Sequence, residues 1–498
     1  MSDQLRKPTL DKDLDKVTSL EMATERISQG LMAPGLALLF VLICAVLAGV
    51  FMTGQPGGVV IIVAAIVGAY MALNIGANDV ANNVGPAVGA RAMKLGTALL
   101  IAAIFESAGA LLAGSDVIGT ISKGIISPEA ISTPSVFISA MLAALVSSAL
   151  WIHLATWLKA PVSTTHSIVG GVMGAGIAAA GLNAVNWVTM ASIAASWVVS
   201  PLLGGIIAAL FLALIKSTII YRDDKIAAAR TWVPILVAVM TGAFTAYLSV
   251  KGLKGIVKID LLTALFIGMG AAFVAWLVAK PLIARQSRGL ANRNQSLRKL
   301  FAMPLIISAA LLSFAHGAND VANAVGPLAA IVHTAELGEV ATKVSIPLWV
   351  MAVGAFGISF GLLLFGPRLI KLVGSEITKL NPMRAFCVAL SAAFTVIVAS
   401  GFGLPVSSTH IAIGAVFGVG FFREWYTSNS QRRAEYVAKR GTATDKKSDP
   451  APKPEDQRRR YLVRRSHFLT IIAAWLITVP AAAIVSGILF AIFRVVLT

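Results

Sequence analysis

The chain has 498 residues, of which 57% are hydrophobic and only 13% charged, about half the charged fraction of an ordinary soluble domain. With a mean hydropathy of +0.82 and apolar runs along nearly its whole length, it excludes a water-soluble globular enzyme and needs lipid as the solvent for a bundle of spanning helices. The formal net charge of +18 is concentrated: loops 216–231, 284–300 and 423–466 hold 4, 5 and 13 basic residues against 2, 0 and 6 acids. That distribution marks cytoplasmic loops under the positive-inside rule and excludes nucleic acid as a partner.

In chain order, a polar tail over 1–33 precedes an apolar run that is too long and too far in for a cleavable signal peptide. The tail is expected in the cytoplasm. Apolar helical segments then fall at 34–53, 57–91, 95–114, 134–158, 161–181, 187–215, 232–250, 259–283, 301–332, 345–366, 383–404, 405–422 and 467–495. The fold class is therefore an all-α polytopic membrane protein with about 11 to 13 membrane segments. Segments 161–181 and 405–422 are short, rich in Gly and Ser/Thr, and follow Lys-Ala-Pro and Gly-Leu-Pro, so each is expected as half of a broken or re-entrant hairpin. Cys44 and Cys387 lie inside apolar runs, which leaves neither a disulfide framework nor a thiolate metal site.

An internal duplication organises the chain. Residues 76–86 read G-A-N-D-V-A-N-N-V-G-P and 317–327 read G-A-N-D-V-A-N-A-V-G-P, differing only at Asn83 against Ala324. A second pair follows in the same order: P-V-S-T-T-H at 161–166 and P-V-S-S-T-H at 405–410, offset by 244 residues against 241 for the first pair. The duplication divides the chain into a leading membrane helix (34–53), a first repeat (57–215), intervening membrane helices (216–283), a basic cytoplasmic linker (284–300), a second repeat core (301–422), a basic cytoplasmic loop (423–466) and a C-terminal membrane helix (467–498). Counting each hairpin pair as an even number of crossings places six crossings between the two motif-bearing helices, so the repeats are inverted. The same parity puts 92–94 and 367–382 in the cytoplasm, in agreement with Arg91, Lys94, Arg368, Lys371 and Lys379. It puts 251–258, with three lysines, outside.

An Asp in the middle of an apolar helix costs at least ~2.5 kcal/mol on insertion scales, which makes Asp79 and Asp320 functional candidates. Asn78, Asp79 and Asn82, with Asn319, Asp320 and Asn323 in the other half, set carboxylate and carbonyl oxygens one turn apart, the donor set that a hard cation such as sodium prefers. Gly76, Gly85 and Pro86, with Gly317, Gly326 and Pro327, are expected to loosen both helices and free backbone carbonyls. In the second motif, Pro breaks the helix and Ser163, Thr164, Thr165, Ser407, Ser408 and Thr409 place six hydroxyl donors beside the unpaired amides of a helix N-terminus, a setting that binds tetrahedral oxyanions. The competing reading of these residues is ordinary N-capping. His166 and His410 suit a proton relay or, preferably, a structural donor to a backbone carbonyl. His316 precedes only the second N-D motif, Ile75 standing in the first, so its role reads as asymmetric or incidental. Glu106 is a further buried carboxylate, available for coupling or for pairing with a polar neighbour.

At these residues the sequence resembles the PiT family of inorganic phosphate transporters, whose signature is the duplicated G-A-N-D-x-A-N motif. The resemblance covers roughly 57–422 through both motif pairs, with 467–495 matching the family's C-terminal span. It implies a secondary active symporter of the plasma membrane that imports phosphate with Na⁺ or H⁺, and two hairpins meeting at a central site in a homodimer. Asn78, Asp79, Asn82, Asn319, Asp320 and Asn323 would share cation and phosphate coordination, and the Ser/Thr residues 163–165 and 407–409 would bind phosphate. No organic cofactor, and no metal site beyond sodium, is expected. A sulfate permease on the same scaffold is the alternative, since sulfate accepts the same donors. An anion channel fits two inward acids poorly, and an enzyme would need a nucleophile and base of which His166 near Ser163 is the only candidate pair.

Overall fold

A computed structural model describes residues 31–52, 54, 57–127, 130–131, 133–158, 160, 162–252, 257, 259–340, 345–376, 380–431, 435 and 465–497. The polar tail through residue 30, most of the basic loop 423–466, and Pro161, Lys254 and Lys258 lie outside the described residues. Backbone amides in lipid have no water to bond, so each apolar run closes its hydrogen bonds on itself as a helix. Among the described residues one isolated bridge, Ile126 with Val185, is the only strand-like pairing.

The leading helix α1 (Leu31–Phe51) is followed by α2 (Gly58–Gly89), α3 (Leu95–Ala113), a short α4 (Ser115–Gly119), and the hairpin α5 (Pro134–Trp157) and α6 (Thr164–Ala180). Then come α7 (Trp187–Ile215), α8 (Lys225–Tyr247), α9 (Leu261–Gln286) and a short α10 (Asn294–Leu300). The second half has α11 (Ala302–Asp320), α12 (Ala322–Leu337), α13 (Leu348–Glu376), the hairpin α14 (Pro382–Gly401) and α15 (Ser408–Asn429), and α16 (Arg465–Leu497). Among the described residues eleven stretches are long and apolar enough to cross a membrane; α6 and α15 are the second hairpin arms. Of the apolar window in α11–α12, 89% is buried, against 11% for α9. The motif helices thus sit at the centre, and α9 turns Phe266, Phe273 and Leu277 outward toward lipid.

Two expectations are corrected. The segment expected over 301–332 runs on to Leu337, with Val321 between α11 and α12 still in right-handed helical geometry and its N–H bonded to the Gly317 carbonyl. Helix α2 passes unbroken through its own motif with Pro86 inside it, so the first-repeat glycines do not loosen the helix. They bring helices together. A Cβ on Gly76 would collide with the Ile358 carbonyl of α13, and one on Gly317 with the Glu106 carbonyl of α3. The partners answer three residues on: Gly361 meets the Leu73 carbonyl and Gly109 that of Phe314. These are two copies of one crossing, α2 with α13 and α11 with α3, each held at backbone contact by paired glycines. The copy relation makes Ile358 the counterpart of Glu106.

A second exchange secures the hairpins. Helix α16 packs on α6 of the first repeat, and α7 packs on α15 of the second. Gly170 and Gly174 abut the Val479 and Ala483 carbonyls, and Gly414 and Gly418 abut those of Pro201 and Gly205. The two G-x-x-x-G pairs are again 244 residues apart, so α16 is to the second repeat what α7 is to the first. The basic stretch 216–231 is partly helical: α8 starts at Lys225, and Lys216 is buried with its ammonium 4.0 Å from the Tyr426 ring. Lys251, in the loop that parity places outside, pairs with Asp116 at 2.6 Å, which neutralises one charge of that exception. Both cysteines are buried and unbonded.

The glycine crossings give a direct check. Gly317→Ala and Gly361→Ala should each destabilise the protein by about 1–3 kcal/mol through overpacking against a carbonyl. Gly270→Ala on α9, where the new methyl meets nothing within 4 Å, should be neutral or stabilising. Thermal unfolding of the purified protein in detergent compares them; equal midpoints for all three would remove the crossings from the account.

Candidate functional site

The hairpins turn where α6 and α15 begin, and these N-termini meet the motif stretches of α2 and α11 in the buried centre. Extended backbone at Ser163 and Ser407 starts each helix: the Ser163 Oγ accepts from the His166 amide (3.1 Å) and the Ser407 Oγ from the His410 amide (3.3 Å). Both serines are therefore N-caps, as the competing reading held, and each hydroxyl proton remains available to donate.

The remaining hydroxyls are committed in a way the sequence did not suggest. Thr164 Oγ1 donates to Asp79 Oδ2 (2.9 Å), Thr409 Oγ1 to Asp79 Oδ1 (3.0 Å), and Ser408 Oγ to Asp320 Oδ2 (2.9 Å). Thr165 Oγ1 donates to the Val406 carbonyl of the opposite hairpin (3.1 Å). Six hydroxyls free for an anion were expected; four face protein acceptors because buried carboxylates need donors. The carboxamides join the repeats. Asn82 Nδ2 donates to Thr409 Oγ1 (2.9 Å), and Asn323 Nδ2 to Thr164 and Thr165 Oγ1 (both 3.2 Å).

Asn319 holds its aspartate and its hairpin together: its Nδ2 donates to Asp320 Oδ1 (2.6 Å) and the Val406 carbonyl (2.7 Å), while its Oδ1 accepts from Ser400 Oγ (3.1 Å). Asn78 repeats this in the first half with Asp79 Oδ1, the Val162 carbonyl (both 3.2 Å) and Thr156 Oγ1 (2.9 Å). The alternative amide orientation points Nδ2 at Thr156 Oγ1 (2.9 Å) and leaves Oδ1 facing acceptors. Hydrogen-bond satisfaction and the duplication both select the first. Thr156 and Ser400 lie outside both motifs; their shared 244-residue offset was the signal available for them.

One side of the centre is not duplicated. His316 Nε2 lies 2.8 Å from Asp320 Oδ2 and 3.7 Å from Asp79 Oδ2, and its Nδ1 lies 3.3 Å from Glu106 Oε1. Neither nitrogen is in hydrogen-bond alignment with these oxygens. Glu106 Oε1 also accepts from Asn83 Nδ2 (2.8 Å). The counterparts of Asn83, Glu106 and His316 are Ala324, Ile358 and Ile75, so a polar chain at one crossing replaces an apolar contact at the other. Far from incidental, His316 stands between the two aspartates, where its ring and their oxygens converge within 4.8 Å, close enough for one cation.

His166 and His410 do not donate to backbone carbonyls. Their rings meet edge to face at a centroid distance of 4.4 Å, Trp197 packs on His166 (3.8 Å) and Trp475 on His410 (3.7 Å). All four ring nitrogens are buried without a partner among the described residues. The histidines are hairpin contacts; the hydroxyls lie between them and the aspartates.

Residues 75–486 match the profile of the phosphate transporter family. A Helicobacter pylori protein that carries the name phosphate permease is 46% identical over 524 residues, covering 96% of this chain and 98% of its own length. A Pyrococcus abyssi protein of that name is 37% identical over 431 residues, covering 86% and 97%. A solved structure named "The sodium-dependent phosphate transporter" aligns with a TM-score of 0.76 at 34% identity, over 88% of this chain and 100% of its own. The matched span takes in both motif pairs, both hairpins and the glycine crossings, and the multi-pass membrane protein they build belongs to the phosphate transporter family.

Proposed function

We propose that the chain is a secondary active symporter that imports inorganic phosphate across the plasma membrane together with Na⁺ or H⁺. The observation that carries this reading is the engagement of Thr164, Ser408 and Thr409 with Asp79 and Asp320. A hydroxyl has one proton. While it donates to a carboxylate it cannot donate to phosphate, so the anion has few donors until a cation neutralises the aspartates and the hydroxyls turn. Cation binding thereby creates the phosphate site, which is coupling in its simplest electrostatic form. Asp79, Asp320, Asn78 and Asn319 supply cation oxygens in this scheme. Ser163, Thr164, Thr165, Ser407, Ser408 and Thr409 face the anion, with Asn82 and Asn323 orienting three of the threonines. The solved relative's name supports sodium as the cation. The basic linker 284–300 and the N-terminal tail are assigned to the cytoplasm, and the assembly to a homodimer.

Uptake of radiolabelled phosphate into proteoliposomes under separate Na⁺ and H⁺ gradients is the central test; phosphate flux indifferent to both gradients would end the symport reading. Asp79→Asn and Asp320→Asn keep an acceptor for the hydroxyls and remove the charge, so each should insert normally and lower coupled uptake about 10- to 100-fold. Near-normal coupled uptake by either variant would take that aspartate out of the cation site.

The asymmetric chain has its own test. The double variant Glu106→Ile with His316→Ile installs the residues that the other crossing already uses, and should fold while losing most coupled uptake. Glu106→Ile alone should be about 1–3 kcal/mol less stable, since it strands the Asn83 amide and the imidazole without their acid. Full uptake by the double variant would reduce the chain to packing.

Selectivity follows from protons. Each carboxylate that holds a cation keeps lone pairs turned away from it; phosphate and arsenate near neutral pH carry at least one acidic O–H that can donate to such an oxygen of Asp79 or Asp320, whereas sulfate has acceptors only and would leave it unpaired. Arsenate should compete well for uptake and sulfate poorly at equal concentration; the reverse order would promote the sulfate permease.

A further inference from the structure

One cavity lies apart from the central site. A volume of about 590 Å³ opens among Arg91 at the end of α2, Arg298 and Lys299 on α10, and Asn381 and Arg384 at the start of α14. Among the described residues no carboxylate lines it. Arg384 is repelled by both Arg298 and Arg423, and among the described residues no acid pairs with Arg91, Arg298 or Lys299. Arg91, Arg298 and Lys299, three cations around one space with no acid partner among the described residues, raise a positive potential there that an anion relieves.

Arg91 carries a second sign that its side chain has a task. The chain leaves α2 with Ala92 N–H bonded to the Ala87 carbonyl and Arg91 N–H to the Val88 carbonyl, while Arg91 itself is left-handed at φ 57°. That is the helix-ending position where glycine is preferred, because a Cβ is strained there. Arg91 is the only non-glycine residue with positive φ among the described residues. The charge is also one-sided. By the duplication offsets, Arg91 corresponds to Val332 and Arg384 to Ala140, so the cations are not part of the duplicated transport machinery. They belong to the face that the positive-inside rule reads as cytoplasmic.

We propose that this cavity binds a soluble polyanion carrying two or more phosphoryl groups, such as an inorganic polyphosphate or a nucleoside polyphosphate. Its volume is that of a small-molecule pocket, far beyond one orthophosphate. Guanidinium forks and a lysine are the donors that phosphoryl oxygens select. The cavity is walled by the ends of α2 and α14 and by Ala302, the first residue of α11. These helices carry Asp79, Ser400 and Asp320 about 18 to 27 Å further along. A polyanion bridging their ends ties them together and opposes the relative movement that alternating access requires, so its occupancy slows transport from the cytoplasmic side. The binding claim does not depend on the proposed coupling scheme.

The experiment uses the full chain in nanodiscs of zwitterionic lipid, with inorganic tripolyphosphate as the probe in isothermal titration, against orthophosphate and sulfate. Tripolyphosphate is expected to bind at least about tenfold more tightly than either, since each added phosphoryl group meets another cation. Arg298→Gln with Lys299→Gln should weaken it about tenfold or more. Arg91→Gly removes the charge and relieves the backbone, so this variant should be at least as stable as the parent and still lose tripolyphosphate affinity, which separates a lost ligand contact from a damaged fold. Tripolyphosphate presented on the cytoplasmic face should slow phosphate flux of the parent and not of these variants, whose flux without the probe stays normal. Equal affinity for tripolyphosphate and orthophosphate, parental affinity in Arg91→Gly, or displacement of the probe by anionic phospholipid in the nanodisc would each overturn the proposal.

Discussion

Hydroxyl protons donated to two buried carboxylates are the contacts on which the centre of this molecule depends. Asp79 and Asp320 cannot sit in an apolar core without donors, and the donors come from residues that stand where helices begin. Thr164, Ser408 and Thr409 are the first residues of α6 and α15, so the aspartates fix where the hairpins end and how closely they approach. Asn78 and Asn319 add a second strut, each reaching from its aspartate to a carbonyl in the hairpin turn. The same oxygens that fix hairpin position are the ones the proposed function gives to the cation. Anything that changes the charge of the aspartates therefore changes the hold on both hairpins.

This arrangement needs a frame that brings four helix segments within hydrogen-bond reach while their far ends remain apart. Backbone contact at the glycine crossings supplies it. Because α16 braces α6 and α7 braces α15, each hairpin is packed by a helix from the opposite repeat. A movement of one repeat against the other is then transmitted to the hairpins by packing, with the hydroxyl–carboxylate contacts at the point where it is felt. In lipid, where apolar burial between helices gains little, close van der Waals packing at small residues is the available stabilising force.

Much of this was legible in the sequence, for a physical reason: a polar residue in a spanning helix is expensive enough to be conspicuous. Asp79, Asp320 and their asparagines announced themselves, and the duplication located the hydroxyl motifs in register. What stayed hidden depended on distance between segments. Glycines at 76 and 317 read as local looseness, whereas their effect is on the neighbouring helix, which no single segment encodes. The engagement of the hydroxyls with the aspartates spans 85 to 330 positions in the chain and has no local signature. Thr156 and Ser400 look like ordinary helix residues until their offset is compared with that of the hairpin motifs. The two motif stretches themselves differ at Ala324 in place of Asn83 and, one residue before the motif, at His316 in place of Ile75.

Those differences locate where an inverted repeat departs from its own symmetry. A symmetric site would present equal aspartates to both sides of the membrane. Here His316 and Glu106 lie against one crossing, Ile75 and Ile358 against the other, so the two aspartates differ in environment: His316 Nε2 is 2.8 Å from Asp320 and 3.7 Å from Asp79. Asp79 receives two hydroxyls, one from each hairpin, while Asp320 receives one hydroxyl and the imidazole. A cation approaching the pair meets one carboxylate held by neutral donors and another already beside a basic ring. The first is held by two hydroxyls and the Asn78 amide, the second by one hydroxyl and the Asn319 amide with the imidazole beside it. Exchange of the two repeats therefore does not return the same site.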